Sequence, residues 1–369
     1  MEQLKERKIQ LSICIPTLNR GACIGATLES IVSQAGDTVE IVVVDGGSTD
    51  NTAEIVAQFQ SKFSPLRYFR KDPPTAGSGS PAPSAGGFDR DCNRAVELAE
   101  GEYCWLFTDD DVLKPGAIQR VLDAIRERYE LIIVNAEVRS TDLSKTLEAS
   151  RLRLTADRTY RPDEWQTLFA DTAEYLSFVG GVVIQRQLWI ARQREPYFGT
   201  GFIHFGVIFQ SPLRGEALAI AEPLIAIRYG DALYMRTSRY FEIWMLDWPK
   251  LIWSLPSLPD SAKQQLCPRE PWRNNKSLLL LRARGAFSVA EYDRWLKERL
   301  NSRWDRLVVK LIAGSPGSAL NLLGIVRYHL SSCRPGQYYV DLVKSPFYFL
   351  RAFRNSTSLP HQVQPRTQA

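Results

Sequence analysis

The first half of the chain alternates between two hydrophobic patterns. Short apolar runs, typical of buried strands, occupy residues 11–15 (LSICI), 39–44 (VEIVVV), 103–107 (YCWLF) and 131–135 (LIIVN). Stretches with apolar positions at helical spacing lie between or after them, at residues 25–34, 52–63, 91–99 and 115–129. This rhythm predicts an α/β fold with a mostly parallel sheet that is covered by helices on both faces.

The pattern changes along the rest of the chain. Two more strand-like stretches, 178–184 and 216–230, extend the α/β region, so we predict a first domain over residues 8–230. From about residue 231 aromatic and basic residues dominate and helical stretches follow, for example 289–313, which predicts a mainly helical C-terminal region over 231–369. Residues 72–88 are rich in Pro, Gly and Ser, and they predict either an ordinary surface loop or a loop that borders a substrate cleft.

Composition narrows the class of protein. With 369 residues, 44% of them hydrophobic, and 9 Trp, 14 Tyr and 16 Phe, the chain is expected to bury a large core rather than to be disordered. The first ten residues are polar and lack the apolar segment of a secretory signal. No apolar stretch reaches the length of a membrane span, and the six cysteines form no C-x-x-C pair. We therefore expect reduced thiols in a cytoplasmic protein.

The net charge of +5 is unevenly distributed. Residues 231–369 carry an excess of Lys and Arg, whereas residues 1–230 carry an excess of Asp and Glu. Basic residues that alternate with Trp, Tyr and Phe suit the anionic surface of a membrane, although a solvated basic face of a helical subdomain is an equally good interpretation. No nucleic-acid recognition motif accompanies the charge, so we expect no nucleic-acid partner.

Polar residues follow three of the predicted strands. Residues 16–20 (PTLNR) follow the first, residues 45–50 (DGGSTD) follow the second, and residues 108–111 (TDDD) follow the YCWLF strand. Ligands of open α/β sheets bind beyond the carboxyl ends of the strands. The three segments are therefore expected to converge on one edge of the sheet and to form a binding site there.

The triplet Asp109-Asp110-Asp111 is the sharpest of these features. Three adjacent carboxylates repel one another, and a Mg²⁺ or Mn²⁺ ion would relieve that repulsion while keeping open positions for substrate phosphates. A solvated acidic turn before a helix explains the same residues, because Asp stabilises helix N-termini. The spacing alone leaves both interpretations open.

Three segments together resemble the signatures of family 2 glycosyltransferases with the GT-A fold. CIPTLNR (14–20) resembles the opening signature, VVVDGGSTDNT (42–52) the second, and FDRDCNRAVELAEGEYCWLFTDDDVLKPGAI (88–118) the third, which runs into the metal-binding D-x-D region. The form GEYCWLFTDDD is most similar to the abequosyltransferase-like branch, which acts in bacterial surface-polysaccharide assembly. The resemblance implies a Rossmann-like GT-A domain that binds a nucleotide sugar.

The resemblance also implies residue roles. Asp110 or Asp111 would hold the metal that bridges the donor diphosphate, and Asp109 would contact the ribose or the donor sugar. The common D-x-D-D pattern of the family places Thr108 at its first Asp, so this chain departs from it there. Asp45 would accept a hydrogen bond from the base. The other residues implied in nucleotide-sugar binding are Pro16, Thr17, Asn19, Arg20, Gly46 and Arg90.

The catalytic base is expected in residues 199–206 (GTGFIHFG), where the family usually has an acidic residue near the start of a helix. His204 stands there instead, and we predict it as general base or as a metal ligand beside Asp110 and Asp111, with Asp111 as a second catalytic residue. A core histidine packed among phenylalanines is the alternative. Other candidate bases are Asp171, Glu174 and Glu195.

The resulting hypothesis is a metal-dependent glycosyltransferase. It would move a sugar from a nucleoside-diphosphate sugar to a hydroxyl of a glycan or lipid-linked glycan, with inversion, in the cytoplasm or at the inner membrane face. A sugar-1-phosphate nucleotidyltransferase would share the fold, but the usual Gly-rich basic loop is replaced by PTLNRG. A G-x-G-x-x-G turn of dinucleotide-dependent oxidoreductases is also absent. A GT-A domain that binds nucleotide or glycan without catalysis is the remaining alternative.

Overall fold

The computed structural model describes residues 8–71, 87–230, 237–331 and 336–348. Most of the predicted loop at 72–88 lies outside these residues. The chain forms two compact units. The first comprises Met1–Asp231 and Ile243–Glu270, and the second comprises Ala232–Glu242 and Pro271–Ala369. Residues 243–270 thus belong to the first unit, which corrects their predicted place in the C-terminal region.

A ten-stranded sheet forms the centre of the first unit. The main path runs β3-β2-β1-β4-β9-β6-β10-β5, with β7 paired to β6 and β8 to β10. The strands are β1 Leu11–Thr17, β2 Val39–Asp45, β3 Leu66–Arg70, β4 Tyr103–Leu106, β5 Val112–Leu113, β6 Leu131–Arg139, β7 Thr146–Glu148, β8 Arg158–Tyr160, β9 Val182–Gln185 and β10 Ala217–Arg228.

The middle of the sheet is parallel. β1 pairs in parallel with both β2 and β4, and every residue of β1 and β2 is buried. Continuous apolar runs such as VEIVVV suit this position, because helices cover both faces of a parallel sheet. β9 runs antiparallel between β4 and β6. The predicted strands near residues 11, 39, 103 and 131 are confirmed, whereas β3 was not predicted.

Helices cover this sheet as the periodic stretches predict. In the first of them, Ile24, Leu28 and Ile31 are buried at spacings of three and four residues, the pattern of a helix with one face on a core. The helices of the first unit are α1 Ile24–Val32, α2 Thr52–Lys62, α3 Gly87–Leu98, α4 Ala117–Arg126, α5 Trp165–Thr172, α6 Arg186–Ala191, α7 Ile203–Phe209, α9 Trp248–Ser254 and α10 Asp260–Leu266.

The second unit is helical, as predicted. Its helices are α8 Ser238–Glu242, α11 Asn275–Arg284, α12 Val289–Glu291, α13 Arg303–Gly314, α14 Gly317–Leu330 and α15 Gln337–Lys344. The helical stretch expected at 289–313 is interrupted, because α13 begins anew at Arg303, where the Ser302 hydroxyl accepts the amides of Trp304 and Asp305. α13 and α14 both pack on α11.

The helices of the described residues are short relative to a membrane span. None of them is by itself long and apolar enough to cross a bilayer. α13 and α14 satisfy the criterion only as a pair, and they are bent by 84° at the break between them.

Candidate active site

The carboxyl ends of β1 and β4 bring two predicted segments together. The two strands are parallel neighbours, so residues 16–20 and 108–111 emerge side by side. Arg20 Nε lies 3.2 Å from Asp109 Oδ1, and its Nη2 lies 3.6 Å from Asp110 Oδ2. Arg20 thus carries the counter-charge of two adjacent carboxylates, as expected for residues that share one binding site.

The negative charge of the Asp109 carboxylate is only partly compensated by its ion pair with Arg20. Burial and the neighbouring charge of Asp110 raise the pKa of Asp109 to about 7, while Arg20 and the Thr17 hydroxyl act to lower it. A carboxyl with a pKa near neutrality holds a proton that a cation could replace. Arg20 therefore neutralises the carboxylates only in part, and a bound divalent ion would compensate the remaining negative charge.

Asp111 occupies a different environment. It is buried, and its Oδ2 accepts a hydrogen bond of 2.5 Å from the Thr108 hydroxyl. Its Oδ1 accepts the backbone amide of Arg228 at 2.7 Å. Burial and the charge of Asp110 raise the pKa of Asp111. Thr108, which departs from the family pattern, therefore supplies a hydrogen-bond donor at a place where a further carboxylate would add repulsion.

Arg228 is a site residue that the sequence analysis missed. It ends β10, and its Nε donates to the backbone carbonyl of Asp110 at 2.9 Å. Its Nη1 donates to the carbonyl of Thr141 at 2.6 Å. Arg228 therefore holds the acidic triplet against the β6–β7 connection. The sequence did offer one indication of this role, since Arg228 is the one basic residue of the apolar strand ALAIAEPLIAIR and stands at its end.

The loops after β1 and β2 are tied to one another. Asn19 has a left-handed backbone (φ 55°), and its Oδ1 accepts the amide of Thr49 at 2.8 Å. The Asn19 amide donates to the Ser48 hydroxyl at 2.8 Å. Gly46 donates to the Thr17 carbonyl at 2.9 Å, and a Cβ at Gly46 would lie 3.0 Å from the Asp91 carboxylate. The two predicted nucleotide-binding segments thus form one rigid edge.

Two predicted contacts of the nucleotide are buried. Asp45 Oδ1 accepts the amides of Gly47 and Ser48, and its Oδ2 accepts the Tyr68 hydroxyl at 2.5 Å. A nucleobase would therefore have to displace Tyr68 to reach Asp45. Pro16 is enclosed within β1, so its position corrects the expectation of direct contact with the nucleotide.

The start of α3 organises the loop before α7. The carboxylate of Asp89 is buried, and its Oδ2 accepts the amides of Gly199 and Gly201, both at 2.8 Å. Its Oδ1 accepts the amide of Ile203 at 3.1 Å. Next to it, the exposed Arg90 places its guanidinium 4.5 Å from the centre of the Phe198 ring. No role was predicted for Asp89, although the quoted segment FDRDCNR contains it.

His204 lies in the core rather than at a surface that an acceptor could reach. It is 1% exposed, its Nε2 lies 2.9 Å from the Leu176 carbonyl, and its ring is near that of Phe202. Burial lowers the pKa of His204 to about 4. This position corrects the prediction of His204 as base or metal ligand, because a buried neutral ring has no access to an acceptor hydroxyl.

The acidic triplet is not by itself a complete metal site. Within residues 8–71, 87–230, 237–331 and 336–348, no three His, Cys, Asp or Glu side chains come together as a metal-binding group. The predicted trio of Asp110, Asp111 and His204 is therefore not preassembled. Mg²⁺ and Mn²⁺ sites that use one or two carboxylates and complete their shell with substrate phosphates do not need such a group.

A cavity of about 650 Å³ is lined in part by Phe198, Gly199 and Thr200, which lie in the loop that Asp89 holds. Its lining includes Tyr197, Thr200 and Gln210, together with Asp247 just before α9 and Lys250 within it. None of the residues predicted to bind the nucleotide sugar lines this cavity.

The first half of the chain resembles a known protein family. The family described as glycosyl transferase family 2 matches residues 12–80 and 81–180. The matched residues make up slightly less than half of the chain. The matched residues include β1, β2, β4 and the Asp109–Asp111 triplet, so the resemblance drawn from the three motifs is confirmed.

Curated relatives agree with this family. Abequosyltransferase RfbV of Salmonella typhimurium is 26% identical over 241 residues, which are 60% of this chain and 67% of the relative. A GalNAc(5)-diNAcBac-PP-undecaprenol beta-1,3-glucosyltransferase of Campylobacter jejuni is 26% identical over 144 residues, 39% of this chain and 43% of the relative. The chain thus spans about two thirds of the first relative and less than half of the second.

A solved structure agrees with the fold. TarS residues 1–349 of S. aureus in complex with UDP superpose with a TM-score of 0.52 at 16% identity, over 94% of this chain and 92% of that chain. The predicted GT-A fold class is confirmed by this likeness and by the mostly parallel centre of the sheet.

Proposed function

We propose that this protein transfers a sugar from a nucleoside-diphosphate sugar to a hydroxyl group of a glycan acceptor, with the help of Mg²⁺ or Mn²⁺. The observation that carries the proposal is the ion-pair cluster of Arg20, Asp109 and Asp110 at the carboxyl edge of the parallel strands. A cation with a bound diphosphate would compensate the carboxylates there, and it would neutralise the charge that develops on the leaving group.

Each part of the cluster has a distinct task in this proposal. Asp110 would hold the ion together with Asp109 or Asp111, and Arg20 would exchange the carboxylates for the diphosphate of a bound donor. A guanidinium suits this exchange because it binds carboxylate and phosphate oxygens with the same planar geometry. Arg228 keeps the backbone of the triplet in place through its bond to the Asp110 carbonyl.

The transfer itself is a displacement at the anomeric carbon. The acceptor oxygen forms a bond to that carbon, its proton passes to a general base, and the bond from the carbon to the diphosphate oxygen breaks with its electron pair on the leaving group. Attack in line with the departing diphosphate inverts the configuration. The 199–203 loop, held by Asp89, would support the acceptor side.

The comparisons support the choice of ligands. A structural relative binds UDP, and two curated relatives are an abequosyltransferase and a glucosyltransferase whose name includes an undecaprenol-diphosphate-linked glycan. We therefore propose a lipid-linked glycan as acceptor, in the assembly of a bacterial surface polysaccharide.

A donor panel tests this proposal. UDP-, dTDP-, CDP- and GDP-sugars are compared by thermal shift and by donor hydrolysis, each with and without Mn²⁺, for wild type, Asp110→Asn and the control Asp123→Asn, which changes an exposed acid of α4. We expect one nucleotide class to stabilise wild type and the control in a Mn²⁺-dependent way, but not Asp110→Asn. Binding of every donor without Mn²⁺ would contradict metal dependence. Release of pyrophosphate from a nucleoside triphosphate and a sugar 1-phosphate would identify a nucleotidyltransferase instead.

A further inference from the structure

The second unit exposes an unusual amount of apolar surface on two adjacent helices. Seven of the twelve large hydrophobic side chains that the described residues expose lie on α13 and α14, and the exposed fraction reaches 69% for Trp304 and 79% for Leu330. We call these seven residues the outer face. They are Trp304, Leu307, Leu311, Leu322, Leu323, Val326 and Leu330.

The outer face is a regular feature of both helices. In α13, Trp304, Leu307 and Leu311 recur at spacings of three and four residues, as residues on one side of a helix do. The opposite side of α13, with Val309 and Ile312, is buried, and both α13 and α14 pack on α11. Each helix therefore has one apolar side that is packed and a second that faces solvent. Several large apolar side chains exposed on consecutive helices in this way indicate an interaction site.

Positive charge surrounds the outer face. Residues 299–331 contain five Arg or Lys and one acidic residue, Asp305. Arg303, Lys310 and Arg327 are exposed, whereas Asp305 is paired with Arg273 at 3.4 Å. A second copy of the same face would bring these cations together and be repelled. A surface that combines an apolar layer with negative charge complements the outer face on both counts.

We propose that the outer face of α13 and α14 docks on the surface of an anionic phospholipid bilayer. The leucines and Val326 enter the boundary between headgroups and acyl chains, Trp304 lies at the headgroup level, and Arg303, Lys310 and Arg327 contact lipid phosphates. The 84° bend between the helices suits a segment that lies on the surface rather than one straight span. The proposal rests on the proposed function in one respect, since docking would bring the enzyme to a lipid-linked acceptor.

Vesicle flotation with the full-length protein tests the docking. Vesicles of phosphatidylcholine alone and with phosphatidylglycerol are compared for wild type, for Leu311→Ser/Leu323→Ser, and for the matched control Ile190→Ser/Val289→Ser, which changes two exposed apolar residues outside the outer face. We expect binding to anionic vesicles that is at least about tenfold weaker in the outer-face variant and unchanged in the control. Arg303→Gln/Lys310→Gln should weaken binding to anionic vesicles and make its decrease with salt less steep, since Arg327 remains.

Two results would overturn the docking. The first is that the wild-type protein does not float with anionic vesicles. In that case light scattering would show whether the outer face instead forms a dimer, which Leu311→Ser/Leu323→Ser would dissociate. The other is equal flotation of wild type and the outer-face variant. Donor hydrolysis measured without vesicles separates the two proposals, and the outer-face variant should retain it. If the wild-type protein hydrolyses no donor, that result contradicts the transferase activity but not the docking.

Discussion

Arg20 spans the gap between the ends of two parallel strands, with its Nε 3.2 Å from Asp109 Oδ1. This contact joins the residue after PTLN to the first carboxylate of the acidic triplet, 89 positions further along the chain. The attraction acts only while Asp109 is ionised, and burial together with Asp110 raises the pKa of Asp109 to about 7. The contribution of Arg20 to stability should therefore depend on pH.

Arg20→Gln should destabilise the protein more at pH 8.5 than at pH 5.5. Since the folded pKa of Asp109 lies above its unfolded value, folding favours the protonated acid, and stability falls as the pH rises from about 4 to about 7. Above pH 7 the ionised Asp109 needs its counter-charge, so the variant should lose about 1 kcal/mol or less, given the partial exposure of Arg20. Urea unfolding at both pH values measures this, and Arg94→Gln, an exposed partner of Glu97, should show no such difference.

Thr108→Asp should make the free protein dependent on a divalent ion. The new carboxylate would face Asp111 in place of a hydroxyl donor, which should reduce the free energy of unfolding by about 1–3 kcal/mol. Mn²⁺ should restore part of that loss, whereas the uncharged control Thr108→Asn should gain nothing from Mn²⁺. Thermal unfolding with and without Mn²⁺ distinguishes the two. An equal response of both variants would show that charge repulsion is not the cause.

Asp89→Asn should impair the acceptor side and spare the donor side. An amide presents one acceptor oxygen, so it cannot bind the Gly199, Gly201 and Ile203 amides as the two carboxylate oxygens do. We expect a loss of about 1–3 kcal/mol in stability and a higher KM for the acceptor, with an unchanged donor-induced thermal shift. Glu97→Gln, on the exposed side of the same helix, serves as control. A lost donor shift would place the 199–203 loop at the donor instead.

His204→Leu should remove a pH dependence of stability and leave transfer in place. The folded pKa of His204, about 4, lies below its unfolded value, so the wild type is fully stabilised above about pH 6.5 and loses up to about 3 kcal/mol as the pH falls to 4. The variant should lose about 1 kcal/mol at pH 7.5, from the bond to Leu176, and have a flatter profile below pH 6.5. Urea unfolding from pH 4 to 7.5 measures both. A stable variant without transfer activity would restore the catalytic role.

The order of strands and helices was largely accessible from the sequence. Runs such as VEIVVV and the helical spacing of Ile24, Leu28 and Ile31 reflect local burial, which each segment encodes by itself. β3 was missed because only Leu66 of its five residues is fully buried, so its pattern is weak. The predicted boundary of the C-terminal region was also misplaced. Residues 243–270 are helical but belong to the first unit, and helical spacing does not indicate which unit a helix joins.

The position of the acidic triplet at the end of β4 likewise followed from the sequence, because the carboxyl ends of parallel strands share one edge of the sheet. Its partners did not. Arg228 reaches Asp110 across 118 positions, and Asp89 reaches Ile203 across 114, and no local pattern records such pairs. His204 has a reactive side chain in a suggestive segment, yet its burial was decided by the packing of α7. The sequence by itself determined which residues end the strands, and the tertiary structure alone decided which side chains meet there and which are enclosed, since burial and long-range contacts belong to the whole fold.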